Sequence, residues 1–150
     1  MKKIGSALSV LGLSMATWAV SVLAQDAPSQ AALDETIKIY CAAWGEPDVE
    51  RRRELLERVW APEGTYTDRP LLAEGREALV ELMGDFLQKF PGAQIVPLSH
   101  ADFHHGMLRF TWKFIGGDGK TVSEGIDFVV VGNDGKLQRI VGFDGPIKPL

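Results

Sequence analysis

The chain holds one cysteine, Cys41, so no disulfide can close within it, and that thiol either packs as a small apolar group or pairs with a second chain. Histidine is almost as scarce. His104 and His105 are adjacent, and adjacent strand residues point to opposite faces, which argues against their sharing a metal ion. Basic residues are outnumbered, 16 against 20 acidic ones, and an acidic surface excludes nucleic acid and anionic membranes as natural partners. The glycine clusters Gly116 to Gly119 and Gly132 to Gly135 precede no helix, so they read as hairpin turns and not as phosphate loops. Nothing in these patterns calls for a cofactor or a metal.

One long apolar run exists, from Ile4 to Leu23, behind the positive start Met1-Lys2-Lys3. It ends at Val22-Leu23-Ala24, with small or modest residues where a signal peptidase reads. Residues 1–24 are therefore expected to be a cleaved secretory signal. Gly5, Gly12 and four serines make the run a poor permanent span, and no second apolar run follows to keep the protein in a membrane. Removing 24 of 150 residues leaves 126, enough for a single domain over 25–150. Without Lys2 and Lys3, 14 basic residues face 20 acidic ones, a net charge of −6. The expected location is the bacterial periplasm or the medium, an oxidising compartment in which Cys41 is alone.

Beyond the leader, Leu33, Ile37, Tyr40, Cys41 and Trp44 recur with helical spacing, Ser29 can cap that helix, and Gly45 ends it. Asp48 can cap a second helix that runs to about Trp60. Leu79, Leu82, Met83, Phe86, Leu87 and Phe90 give a third, closed by Pro91-Gly92. Thr65-Tyr66-Thr67 is a short strand between the second and third helices. After Pro91 the period becomes two: strands are expected at Ile95 to Ala101, Met107 to Ile115, Thr121 to Val131 and Leu137 to Phe143, joined by tight turns. Three helices and then a run of antiparallel strands predict an α+β domain, with the helices covering one face of a curved sheet.

Three side chains stand out against this background. Asp68 follows the short strand, where a strand gives way to a loop, and such a position can aim a carboxylate into a cavity or leave it as a turn residue paired with Arg69. Asp127 shares a strand face with Val129 and Val131 while Ile126, Phe128 and Val130 take the other, so its carboxyl sits among apolar neighbours that should raise its pKa. Tyr40 lies on the core stripe of the first helix, and a buried phenol needs a partner. A base, a phenol donor and an acid donor around an apolar hollow are the parts for moving a proton beside a carbonyl and holding the enolate. Trp44, Trp60, Phe86, Trp112 and Val129 are expected to line that hollow. Arg109, on the polar side of its strand, can meet a substrate carboxylate or stay solvated.

The order of elements resembles the nuclear transport factor 2-like superfamily. The residues that carry the resemblance are Tyr40 on the first helix, Gly64-Thr65-Tyr66-Thr67-Asp68, Gly75-Arg76-Glu77-Ala78-Leu79, and Gly125-Ile126-Asp127-Phe128. Within it the chain is similar to SnoaL-like proteins and, more distantly, to ketosteroid isomerase. The resemblance implies a cone-shaped domain with a mixed or antiparallel sheet. It also implies Asp68 as base and Tyr40 and Asp127 as oxyanion donors, an arrangement well known from the isomerase. Arg69 stands where the isomerase has proline, and an Arg69–Asp68 pair would make a poor base. Two functions follow as expectations: isomerase, cyclase or dehydratase chemistry on a small hydrophobic carbonyl compound, or a non-catalytic module that binds an apolar ligand or dimerises. The apolar residues on both faces of the Thr121 to Val131 strand imply a homodimer through the sheet.

Overall fold

The computed structural model describes residues 28–146 and 149–150, so the expected signal segment lies outside the described residues. Helices α1 (Gln30–Trp44) and α2 (Val49–Val59) open the fold, and α3 (Arg76–Lys89) follows two strands, β1 (Trp60–Thr67) and β2 (Leu72–Glu74). Then come β3 (Gln94–Pro97), β4 (Asp102–His104), β5 (Met107–Ile115), β6 (Thr121–Val131) and β7 (Leu137–Asp144). Ser29 Oγ accepts from Ala32 N–H at the start of α1, and Asp48 Oδ1 accepts from Glu50 and Arg51 N–H at the start of α2. Both caps satisfy backbone donors that a helix leaves unpaired.

The strands form one sheet in the order β2-β1-β7-β6-β5-β3, with β4 also paired to β5. Among the described residues only β1 and β7 run parallel; the other pairings are antiparallel, so the sheet is mixed. Three helices cover the concave face of this curved, unclosed sheet, and the α+β expectation holds. Its core joins Leu33, Ile37 and Tyr40 of α1, Leu56 of α2 and Leu79 and Met83 of α3 to Leu108, Phe110, Val129 and Ile140 of the sheet. Arg52 is buried yet satisfied: Nε donates to Val80 O and Nη1 to Glu46 O, which ties α2 to α3.

Three segments differ from the sequence reading. First, β1 begins at Trp60, directly from α2, with Pro62 and Gly64 inside the strand. Second, Pro97 splits the strand expected at Ile95 to Ala101, because proline has no N–H for the ladder; β3 stops there and β4 starts at Asp102. Third, His105 adopts φ 49° in the β4–β5 turn, and this left-handed residue swings its ring toward His104, leaving the two Nδ1 atoms 3.4 Å apart. The two imidazoles are thus not opposed as alternation along a strand would have them. They sit exposed on the hairpin, and among the described residues no group of three or more His, Cys, Asp or Glu side chains is placed to hold a metal.

Candidate functional site

Between α1, α3 and the concave face lies a cavity of about 790 Å³. Strand geometry delivers its polar groups. Tyr66 and Asp68, two residues apart at the end of β1, point the same way, and Tyr66 Oη donates to Asp68 Oδ2 at 2.7 Å. The other carboxylate oxygen, Oδ1, accepts from Leu71 N–H at 3.0 Å, while Asp68 N–H donates to Leu71 O at 3.0 Å. A closed loop of bonds therefore sets the carboxylate where the strand stops. Arg69 makes no ion pair with Asp68 among the described residues; it lies at the rim, and the acid is held by a phenol and a backbone amide instead.

Asp127 enters from the centre of the sheet. On β6 it is flanked by Phe110 of β5 and Gly142 of β7, on the face that looks at the helices, and it is only 3% exposed. No cation reaches it among the described residues. Its Oδ1 accepts from Trp112 Nε1 at 2.7 Å. Gly125 makes that bond possible: it lies opposite Trp112, and any side chain there would collide with the indole. Gly142 does the same for the acids. A Cβ at 142 would meet Asp127 Oδ1 at 3.1 Å, Asp68 Cβ at 3.3 Å and Tyr66 Oη at 3.6 Å, so these three groups converge on one point of bare backbone.

Burial pushes the Asp127 carboxyl up to about 7; the negative charge of Asp68 adds to the rise, and the Trp112 N–H works against it. Near neutrality the group therefore exchanges its proton. Tyr40, 1% exposed, is held protonated well above the ordinary phenol range by burial and then by the charge of Asp127 and the phenol of Tyr66 nearby. Tyr66 is raised in the same way, with its bond to Asp68 contributing. A titrating carboxyl, a fixed carboxylate and two protonated phenols thus share one cavity, the equipment for proton transfer.

All three residues singled out from the sequence, Tyr40, Asp68 and Asp127, line this cavity, as do Trp44, Phe86 and Trp112. Trp60 and Val129 do not. Trp60 is fully buried, stacked on the Tyr40 ring with centroids 5.9 Å apart, and Val129 packs in the core between Leu108 and Ile140. Both support the cavity from behind. Arg109 faces the opposite side of the sheet and pairs with Asp102 at 2.8 Å. Tyr66 is the member the sequence reading missed, although its i, i+2 spacing from Asp68 on a strand is the signal that would have found it. Cys41 is buried in α1, its thiol raised by burial, as a small apolar side chain would be.

The profile of the SnoaL-like domain family matches residues 37–140. A SnoaL-like family protein from Agrobacterium tumefaciens, named as a candidate isomerase, is 34% identical with a TM-score of 0.72, the match covering 77% of this chain and 99% of that one. A candidate polyketide cyclase from Sinorhizobium meliloti is 16% identical with a TM-score of 0.59, covering 77% and 99%. A candidate SnoaL-like polyketide cyclase from Jannaschia is 15% identical with a TM-score of 0.62, covering 79% and 88%. The last two show likeness of fold alone. No curated protein matches the sequence.

Proposed function

Because the chain belongs to the SnoaL-like domain family, we propose that it carries out cofactor-free acid-base chemistry, of the isomerase or cyclase kind, on a small apolar carbonyl compound. One observation carries this reading: two carboxyl groups of unlike environment and a buried phenol face one aromatic cavity, with no cation neutralising either acid among the described residues. Asp68 removes a proton beside the carbonyl. Protonated Asp127 and the Tyr40 phenol donate hydrogen bonds to the oxygen on which negative charge develops, and donors fixed in a dry site act most strongly where charge appears. The candidate isomerase from Agrobacterium tumefaciens, 34% identical, supports this class of reaction.

The test is turnover of a β,γ-unsaturated ketone by the parent and by Asp68→Asn. Loss of turnover in the variant, at unchanged melting temperature, is the expected result; equal rates would remove Asp68 from the reaction.

One feature favours a second reading. Both oxygens of Asp68 already accept bonds, from Tyr66 and from Leu71, as a purely structural carboxylate would. On that reading the cavity only stores an apolar ligand. Native mass spectrometry of gently extracted protein should then show a bound small molecule, and an empty cavity counts against it. A homodimer through the convex face is part of either proposal, motivated by the exposed Met107, Phe128 and Phe143. Light scattering at working concentration tests it, a monomeric mass being the contrary result. Export is likewise proposed; N-terminal sequencing should find Gln25 first in secreted material, whereas an intact Met1 start would refute cleavage.

A further inference from the structure

We propose that the compound bound in this cavity is a cation, with a tertiary or quaternary ammonium group on an apolar body. The inference rests on reading the cavity as the substrate site and goes beyond it by assigning the sign of the substrate's charge. Its first support is the shape of the aromatic wall. The Trp44 ring lies 5.3 Å from Tyr66 at 60° and 5.3 Å from Phe86 at 88°, so the three rings form a corner and not a stack. All three rings line the cavity at different tilts, so an alkylammonium group there lies against aromatic side chains of more than one orientation, and ring faces are their electron-rich part. The Trp44 indole is the strongest of the three faces for a cation, and the Tyr66 ring gains electron density because its hydroxyl donates to the Asp68 carboxylate at 2.7 Å.

The second support is charge. Asp68 and Asp127 lie inside, and Glu81, Asp85 and Asp144 line the outer wall, against two cations, Arg69 and Lys89. Lys89 sits over the Phe90 ring at 5.4 Å, itself an ammonium on an aromatic face at the mouth. A carboxylate-bearing or phosphate-bearing compound would enter against this field, and a neutral one would draw nothing from it. An ammonium draws on both the carboxylates and the rings.

A pH dependence follows. The groups around Asp127 are Asp68 and Tyr66 from β1 and its exit, Tyr40 and Cys41 from α1, Trp112 from β5 and the bare Gly142 backbone of β7. The remaining charges that line the cavity are Glu81, Asp85 and Lys89 of α3, with Arg69 and Asp144. Among the described residues no histidine lines the cavity. Asp127, pushed up to about 7, loses its proton as pH rises through neutrality, and the cavity then holds a cation more tightly.

Calorimetric titration of the purified protein with benzyltrimethylammonium, its uncharged isostere neopentylbenzene and phenylmethanesulfonate tests the proposal. The ammonium should bind at least about tenfold more tightly than the isostere near pH 8, with the sulfonate weakest. Its affinity should fall several-fold near pH 6, while that of the isostere stays level. Asp68→Asn should weaken the ammonium and spare the isostere; Asp127→Asn should abolish the pH dependence, and if that variant misfolds, the Asp68→Asn contrast and the parent's pH profile decide alone. Equal binding of ammonium and isostere overturns the amine while leaving the cavity a ligand site. Binding of none of the three overturns both, and turnover lost in Asp68→Asn without any ammonium preference would sustain the reaction and sink only the amine.

Discussion

Asp127 and Phe128 are neighbours in β6, yet the aspartate is 3% exposed and the phenylalanine 40%, with Phe143 beside it on the convex face at 52%. The two faces of one sheet thus reverse the ordinary order, in which carboxyls are wet and rings are dry. On the concave face the backbone has been cleared around the acid: Gly125 admits the Trp112 indole, and Gly142 lets Asp127 and Asp68 come together. On the convex face Phe128 and Phe143 meet edge to face and stay exposed among the described residues. A buried carboxyl without an ion pair and a row of apolar groups in water are both costly to keep, and each is intelligible as a surface made for something else, a reacting molecule inside and a second copy outside.

The contrast breaks most severely at Gly125. Gly125→Val puts a branched side chain into the Trp112 indole and against Phe143 O, and a loss of about 3 kcal/mol is expected, measured by denaturant unfolding. By contrast, adding a methylene at exposed Val122, as in Val122→Ile, should shift stability by under about 0.5 kcal/mol.

The response to pH is of comparable size. In the unfolded chain Asp127 ionises in the ordinary carboxylate range, near 3.8, and in the folded protein near 7. Below that range both states carry the proton and the buried group costs nothing. As pH rises from about 4 through about 7 the folded protein must strip a buried acid that the unfolded chain gives up freely, so stability falls and then levels, by on the order of 4 kcal/mol at most. Thermal melts should therefore show a higher Tm near pH 5 than near pH 8, and Asp127→Asn should remove that slope.

Trp112→Phe is the finer cut. It deletes the N–H that favours the ionised carboxyl, so the Asp127 pKa should climb further and the alkaline fall of activity should move to higher pH, by about one unit or less. Outside the cavity, Phe128→Ser should change stability by under about 0.5 kcal/mol while turning a dimer into a monomer in light scattering.

Much of this was legible beforehand for definite reasons. Helix stripes such as Leu79 to Phe90 and the alternation of Leu108, Phe110, Trp112 and Phe114 are local patterns that burial then enforces, which is why the α+β layout could be read directly. Asp127 was visible as an acid in an apolar strand. What stayed hidden depended on contacts across the sheet. That Trp112 would hold Asp127, that Gly142 would be the meeting point, and that Trp60 would turn inward behind Tyr40 are matters of register between β5, β6 and β7 and of helix rotation, which no local period encodes. The break at Pro97 was half legible: proline marked an irregular strand, but not that two strands would replace one. The left-handed His105 was hidden, since histidine seldom takes that conformation, although Gly106 beside it, at φ 75°, marks the turn itself.

The account stands on Asp127 exchanging its proton near neutrality inside the cavity. A carbon-13 NMR titration of its side-chain carboxyl, assigned by comparison with Asp127→Asn, measures this directly. A midpoint near 7 is expected; a midpoint in the ordinary carboxylate range, near 3.8, would contradict it and remove Asp127 as a donor.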